Sequence, residues 1–300
     1  MEERMVHLAD GRKLGFAVYG PSSGTPVFYF HGTPSSRLEL LLLKHFGVDL
    51  DSTLADFNFQ LIAVDRPGMG LSDYNKNGDF LSFASDVKQL ADHLKIVSCP
   101  VLCWSGGGPY ALAVTFRYPE LITSTHIICG FTRKFDEEIM RQMNINKWYF
   151  KAAKSTPWLM TRIMNIIRKT KIRSSVPQKL TGLPTVDYKF LQKPEDLRMA
   201  ATLTMKEAYR AGAEGPIYEA KSYYRDYGFS ISDIQQHVHY WWGTADHTVI
   251  RLHAEEIEQR VVNHTLHYRT GEGHLSIYIN CFREVLQTIR LSEEEIERSV

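Results

Sequence analysis

Cysteine is scarce in this chain, with four in 300 residues, and none of Cys99, Cys103, Cys129 and Cys281 forms a C-x-x-C pair. That spacing excludes a disulfide-stapled scaffold and a thiolate zinc knuckle, and thiols set in apolar runs are expected to be buried and free in a reducing cytoplasm. An excess of either charge is missing too. A formal net charge of +1 gives no electrostatic case for a nucleic-acid partner. No apolar run approaches the roughly 20 residues that cross a bilayer, and the stretch from Met1 to His7 has no signal-peptide core. No membrane insertion is expected, and the localisation read from these features is cytoplasmic. Repeats and low-complexity tracts are absent, as are the P-loop lysine and the G-x-G-x-x-G spacing of a dinucleotide site. No cofactor is therefore expected, and the partner to look for is a small-molecule substrate.

What is present is an apolar run, Val101-Leu102-Cys103-Trp104, that ends abruptly at Ser105 and three glycines, Gly106 to Gly108. A strand that breaks into a helix around a serine exposes its hydroxyl at a sheet edge. Such a tight elbow needs small flanking residues, because the nucleophile adopts a sparsely populated backbone conformation and strand and helix approach closely. Pro109 then suits the first helical turn, where its missing N–H has no partner to lose. The other reading is a glycine-rich phosphate loop before a helix.

A serine hydroxyl needs a base to take its proton and a carboxylate to hold that base. His274 is the best base, in the glycine loop Gly271-Glu272-Gly273-His274 after the strand-like His264 to Tyr268. Asp246 is the best acid, in Gly243-Thr244-Ala245-Asp246 after the buried-strand pattern Val238 to Trp242. Asp136, Asp226 and Asp233 are fallback acids. Each residue alone reads equally as a turn, cap or solvated side chain. Ser, Asp and His in that order, at the ends of strands that open on one sheet edge, point to a catalytic triad.

These segments, together with His31-Gly32-Thr33-Pro34 after the strand Val27 to Phe30 and Asp65-Arg66-Pro67-Gly68-Met69-Gly70 after Leu61 to Val64, resemble the α/β-hydrolase superfamily. The similarity extends over nearly the whole chain and leans towards serine esterases and proline-iminopeptidase-like enzymes. It implies an α/β-hydrolase fold: a mostly parallel eight-stranded sheet flanked by helices, with a helical cap inserted after the sixth strand. One departure is Cys103, which stands where the family's elbow has its first glycine; it is small and apolar enough for the turn to form. Two N–H groups are needed for the oxyanion of an acyl transfer. Gly106 follows the nucleophile and supplies one, and Thr33, held extended by Pro34, supplies the second. His31 is read as packing beneath that loop.

Asp10-Gly11 signals an opening hairpin, and helices are expected at 38–46, 83–94 and 277–291. From Phe131 to Tyr224 the strand–helix alternation is lost and the pattern is helical. The expected division is a core of residues 1–130 and 225–300 with a cap of 131–224. Trp104 and Tyr110 are candidate substrate-binding residues for an apolar acyl group, although core packing explains both. Trp158 to Ile167, interleaved with Arg162, Arg168, Lys169, Lys171 and Arg173, is basic and amphipathic; its apolar stripe is expected to face the pocket. His237 and His239 alternate on one strand, but without a third ligand they imply no metal.

The function read from these residues is hydrolysis of a carboxylic ester or related acyl bond of a small to medium apolar substrate. Alternatives keep the triad: an aminopeptidase, with Glu207, Glu214 or Glu219 binding the amino terminus, or a C–C bond or lactone hydrolase. A ligand-binding sensor with negligible turnover is the non-enzymatic one.

Overall fold

Alternation of buried apolar strands with amphipathic helices gives one eight-stranded sheet, with strand order β1-β2-β4-β3-β5-β6-β7-β8. The computed structural model describes residues 1–170 and 182–299. The strands are β1 (Glu2–His7), β2 (Lys13–Tyr19), β3 (Thr25–Phe30), β4 (Phe59–Val64), β5 (Cys99–Trp104), β6 (Ile122–Ile128), β7 (His237–Gly243) and β8 (His264–Arg269). As the Asp10-Gly11 turn predicts, β1 and β2 pair antiparallel, and β2 is also antiparallel to β4. Every later pairing, from β4–β3 through β7–β8, is parallel. Parallel strands are covered on both faces, and β5 is accordingly buried at every residue.

Helices α1 (Leu41–His45), α2 (Leu50–Phe57), α3 (Phe80–Leu94) and α4 (Gly108–Arg117) connect the first six strands. Between β6 and β7 come α5 (Glu137–Gln142), α6 (Lys147–Ser155), α7 (Pro157–Ile167), α8 (Thr185–Tyr188), α9 (Pro194–Ala201) and α10 (Glu214–Ser222). Beyond β7 lie α11 (Leu252–Arg260), α12 (His274–Asn280) and α13 (Phe282–Ser299).

Helix boundaries differ from the periodicity where a polar side chain intervenes. α3 starts three residues before the expected Phe83, because Asp79 accepts from Ser82 N at 2.7 Å and Ser82 Oγ accepts from Asp79 N at 2.8 Å, a reciprocal cap. α1 starts later than the expected residue 38; Glu39 there is turned into the core. α2 was not expected; Asp49 caps its start, and Asn58 ends it at φ 51°. The single helix expected over 277–291 is two, α12 and α13, divided at Cys281. All four cysteines are buried and unpaired. Among the described residues no helix is long and apolar enough to cross a membrane.

Candidate active site

β5 ends at Trp104, and Ser105 then takes φ 53°, a left-handed conformation that costs a non-glycine residue about 1–3 kcal/mol and persists where its surroundings hold it. The glycines explain how the turn closes. A Cβ on Gly107 would sit 2.4 Å from Phe30 O, and one on Gly108 2.2 Å from Phe131 O. α4 can therefore lie against the sheet only with hydrogens at those positions. Cys103, fully buried, tolerates the same approach.

The elbow faces two loops at the carboxyl ends of β7 and β8. Ser105 Oγ and His274 Nε2 are 3.0 Å apart, and His274 Nδ1 donates to Asp246 Oδ2 at 2.7 Å. The other Asp246 oxygen accepts from the N–H groups of Thr248 and Val249 at 2.7 and 2.9 Å, so both carboxylate oxygens are fixed. Burial alone would pull the His274 pKa down, but the Asp246 charge and hydrogen bond outweigh it, with help from Asp187, and the pKa lies above the ordinary imidazole value. Of the fallback acids, Asp136 caps α5 and pairs with Arg133, and Asp226 pairs with exposed Lys134.

Trp104 stacks on the His274 ring with centroids 5.0 Å apart, and on Tyr278 at 4.5 Å. Its Nε1 donates to His274 O at 3.2 Å. The indole thus braces the imidazole from behind, the packing part that its sequence left open beside an acyl-binding one. Tyr110 likewise lies in the core, edge-on to Phe80 and Phe83 and beneath the Arg66 guanidinium at 4.7 Å.

Several residues around the site carry at most a faint sequence signal for their part in it. Asp187 of α8 reaches across 87 positions: Oδ2 accepts from His274 N and Oδ1 from Ser276 N, both at 2.8 Å. It caps the first turn of α12 from a different element, satisfying two N–H groups that a helix start leaves unpaired. A Cβ on Gly273 would lie 2.5 Å from that carboxylate. Glu39 is fully buried, accepting from Gly32 N at 2.9 Å and from Tyr29 OH at 2.5 Å, and burial pushes its pKa up to about 7.

The segment 31–33 is held by a buried ion pair. Arg66 donates from Nη2 to Gly32 O at 2.7 Å, from Nη1 to His31 O, and pairs through Nε with Glu219 of α10. Thr33 Oγ1 also donates to Glu219. His31, as expected, packs beneath the loop: Nδ1 donates to Gly32 O at 2.8 Å, and burial and the Arg66 charge push its pKa well below the usual range. Thr33 and Gly106 are neighbours, since a Cβ on Gly106 would meet Thr33 Cγ2 at 2.5 Å and Tyr223 OH at 2.6 Å.

Glu219 is committed to Arg66 and Thr33, and the other two acidic candidates are also engaged. Glu207 pairs with Arg37 and Arg210, and Glu214 accepts from Asn165. Among the described residues, the one cluster that could ligate a metal is Cys129, Asp246 and His274. Its imidazole and carboxylate already hydrogen-bond each other, and burial and the Asp246 charge keep the thiol protonated by raising its pKa, the opposite of what a thiolate ligand needs. His237 bonds Thr265 and His239 bonds His267, so the alternating pair is engaged in the sheet.

The apolar stripe expected to face the pocket points outward instead. On α7, Trp158, Leu159, Ile163, Ile166 and Ile167 are exposed, and only Met164 is buried. Lys171 and Arg173, read as part of that stretch, lie outside the described residues.

Residues 25–280 match the family model described as alpha/beta hydrolase fold. The uncharacterized hydrolase YcgS of Bacillus subtilis (strain 168) is 26% identical over 212 residues, covering 68% of each chain. Among solved structures, one from a study of carboxylesterases of Nitrososphaera gargenis superposes with TM-score 0.70 at 15% identity, covering 99% of this chain and 100% of that one. The esterase RhEst1 from Rhodococcus sp. ECU1013 gives 0.66 at 19%, covering 98% and 99%. The enol-lactonase from Burkholderia xenovorans LB400 gives 0.68 at 14%, covering 97% and 100%. At these identities the superpositions speak for the fold, and the family match covers most of the chain: it belongs to the alpha/beta hydrolase fold family and is an enzyme of the hydrolase kind.

Proposed function

We propose that the chain hydrolyses carboxylic esters through Ser105, His274 and Asp246. The observation that carries this is the continuous hydrogen-bonded series from the Ser105 hydroxyl through the His274 ring to Asp246. His274 takes the Ser105 proton as the oxygen attacks the ester carbonyl, and Asp246 stabilises the imidazolium that forms. The N–H groups of Thr33 and Gly106 receive the oxyanion; each such donor is worth about 10²–10³-fold in rate. The imidazolium then protonates the leaving alcohol, and water repeats the sequence on the acyl-enzyme to release the acid. These steps use side chains and backbone alone, without a cofactor or metal.

Residues 131–224 act as a cap on a core of 1–130 and 225–300. Three contacts support this: Asp187 holds the His274 loop, Glu219 holds Thr33, and Tyr223 OH donates to Gly106 O at 2.9 Å. Substrate choice then belongs to the cap, and the substrate is a small to medium apolar ester. The aminopeptidase alternative is disfavoured because a substrate ammonium would have to displace Arg66 from Glu219 or Arg37 from Glu207, and Glu214, bonded to Asn165, is solvent-exposed.

The test is a hydrolysis profile over p-nitrophenyl esters of increasing acyl length, run beside aminoacyl arylamides. Ester turnover without arylamide turnover is expected. Arylamide turnover above ester turnover would move the assignment to a peptidase, and turnover of neither would favour a sensor.

A further inference from the structure

α7 is built inside out for a surface helix. Its polar and inward-turned residues tie it to the rest of the cap: Asn165 Oδ1 accepts from Ala213 N at 3.1 Å, and Arg168 Nη1 donates to Arg210 O at 2.9 Å and Tyr209 O at 3.2 Å. Its apolar residues look outward, and Trp158 and Ile166 keep 65% and 67% of their surface in solvent. The pairs 158/159, 162/163 and 166/167 repeat every four residues, so they form one stripe about 14 Å long. Five of those six side chains are apolar, and the sixth is Arg162. Ordinary amphipathic helices bury such a stripe, and a contiguous exposed one marks an interaction surface.

Charge identifies the occupant. Residues 139–170 contain seven lysines and arginines and no aspartate or glutamate, in a chain whose net charge is +1. Arg162 lies within the stripe and Lys169 follows it, both exposed. On α6, which precedes α7, exposed Trp148 carries Lys151 Nζ 5.3 Å from its ring centroid. Tryptophan and aliphatic side chains framed by cations are the composition of a helix lying at the headgroup–acyl boundary of an anionic bilayer. A second copy docked through the same stripe would bring these cations against one another, which opposes association.

We propose that the outer face of α7 is a docking surface for anionic lipid bilayers. Trp158, Leu159, Ile163, Ile166 and Ile167 enter the boundary region while Arg162 and Lys169 meet lipid phosphates. The attachment is peripheral and reversible, with the helix parallel to the surface.

The test uses the full chain with vesicles of phosphatidylcholine alone and with about 30% phosphatidylglycerol. Three of the five tryptophans, Trp104, Trp241 and Trp242, are buried, so a change in emission reports Trp148 and Trp158. A blue shift and co-sedimentation with the anionic vesicles are expected, about tenfold or more tighter than with phosphatidylcholine and weakened by salt. Ile163→Ser/Ile166→Ser should weaken binding to both vesicles about tenfold, and Arg162→Glu/Lys169→Glu should abolish the preference for anionic lipid. Both pairs are exposed, and unchanged circular dichroism and p-nitrophenyl acetate turnover would show an intact fold. Absence of vesicle binding, or equal binding by wild type and both variants, would overturn the proposal. So would a blue shift in lipid-free buffer that grows with protein concentration alongside a dimer in sedimentation velocity, because the occupant would then be a second copy. Binding is read without turnover, so failure of the esterase reading and failure of this one are distinguishable.

Discussion

At residue scale, the proposed role of His274 as general base sets the pH behaviour to expect. A general base works when neutral, and Asp246 holds this imidazole above its ordinary pKa against the opposing effect of burial. The rate should therefore rise with pH through a midpoint above about 6.5. Asp246→Asn removes the charge that chiefly opposes burial, lowers that midpoint and reduces kcat by about 10⁴-fold; kcat/KM profiles from pH 5 to 9 read both effects. Asp187 is a positioning residue whose charge also favours the imidazolium. Asp187→Ala leaves two N–H groups of the α12 turn unpaired, which costs about 1–3 kcal/mol each where they are buried. A lower melting temperature, a reduced kcat and a downward shift of the acid limb are expected. Asp187→Asn should restore part of the stability but not the limb.

At the scale of elements, the legible features were those marked by a local break in pattern. Ser105, Asp246 and His274 each stand where an apolar strand run gives way to glycine, and a parallel sheet brings such ends to one edge. Asp187, Glu39 and the Arg66–Glu219 pair act across elements, so no spacing announces them. Two faint signals existed: Glu39 stands alone among leucines, and Asp187 ends an acid-free stretch that begins at residue 139. The α7 stripe was legible as amphipathic, but periodicity gives the width of a face and not its direction. The Arg66–Glu219 pair joins the loop after β4 to α10, with both side chains buried. Glu219→Gln or Arg66→Met strands one buried charge and should cost about 3–5 kcal/mol, whereas Arg66→Met/Glu219→Leu should recover much of it. Urea unfolding of the three variants checks this; a double variant no better than the worse single one would contradict it.

At the scale of the whole molecule, the core contains carboxyl groups whose protonation couples to folding. Burial raises Glu39 to about 7 from an ordinary 4.5. Between those values the native protein keeps a proton that the unfolded chain has released, so the Glu39 contribution is present at low pH and is lost as pH rises to about 7. The loss amounts to about 3 kcal/mol. Glu39→Gln, which can still accept from Gly32 N, should make unfolding free energies flatter between pH 5 and 8 than in wild type; parallel curves would count against this account. The same sheet that buries these groups positions the three side chains on which the proposed function rests. The most direct measurement of that claim is covalent labelling by a fluorophosphonate followed by peptide mapping. Stoichiometric modification of Ser105 in wild type, slowed at least about 10³-fold in His274→Ala and absent in Ser105→Ala, is the predicted result. Ester turnover retained in folded Ser105→Ala, or label on another residue, would contradict it.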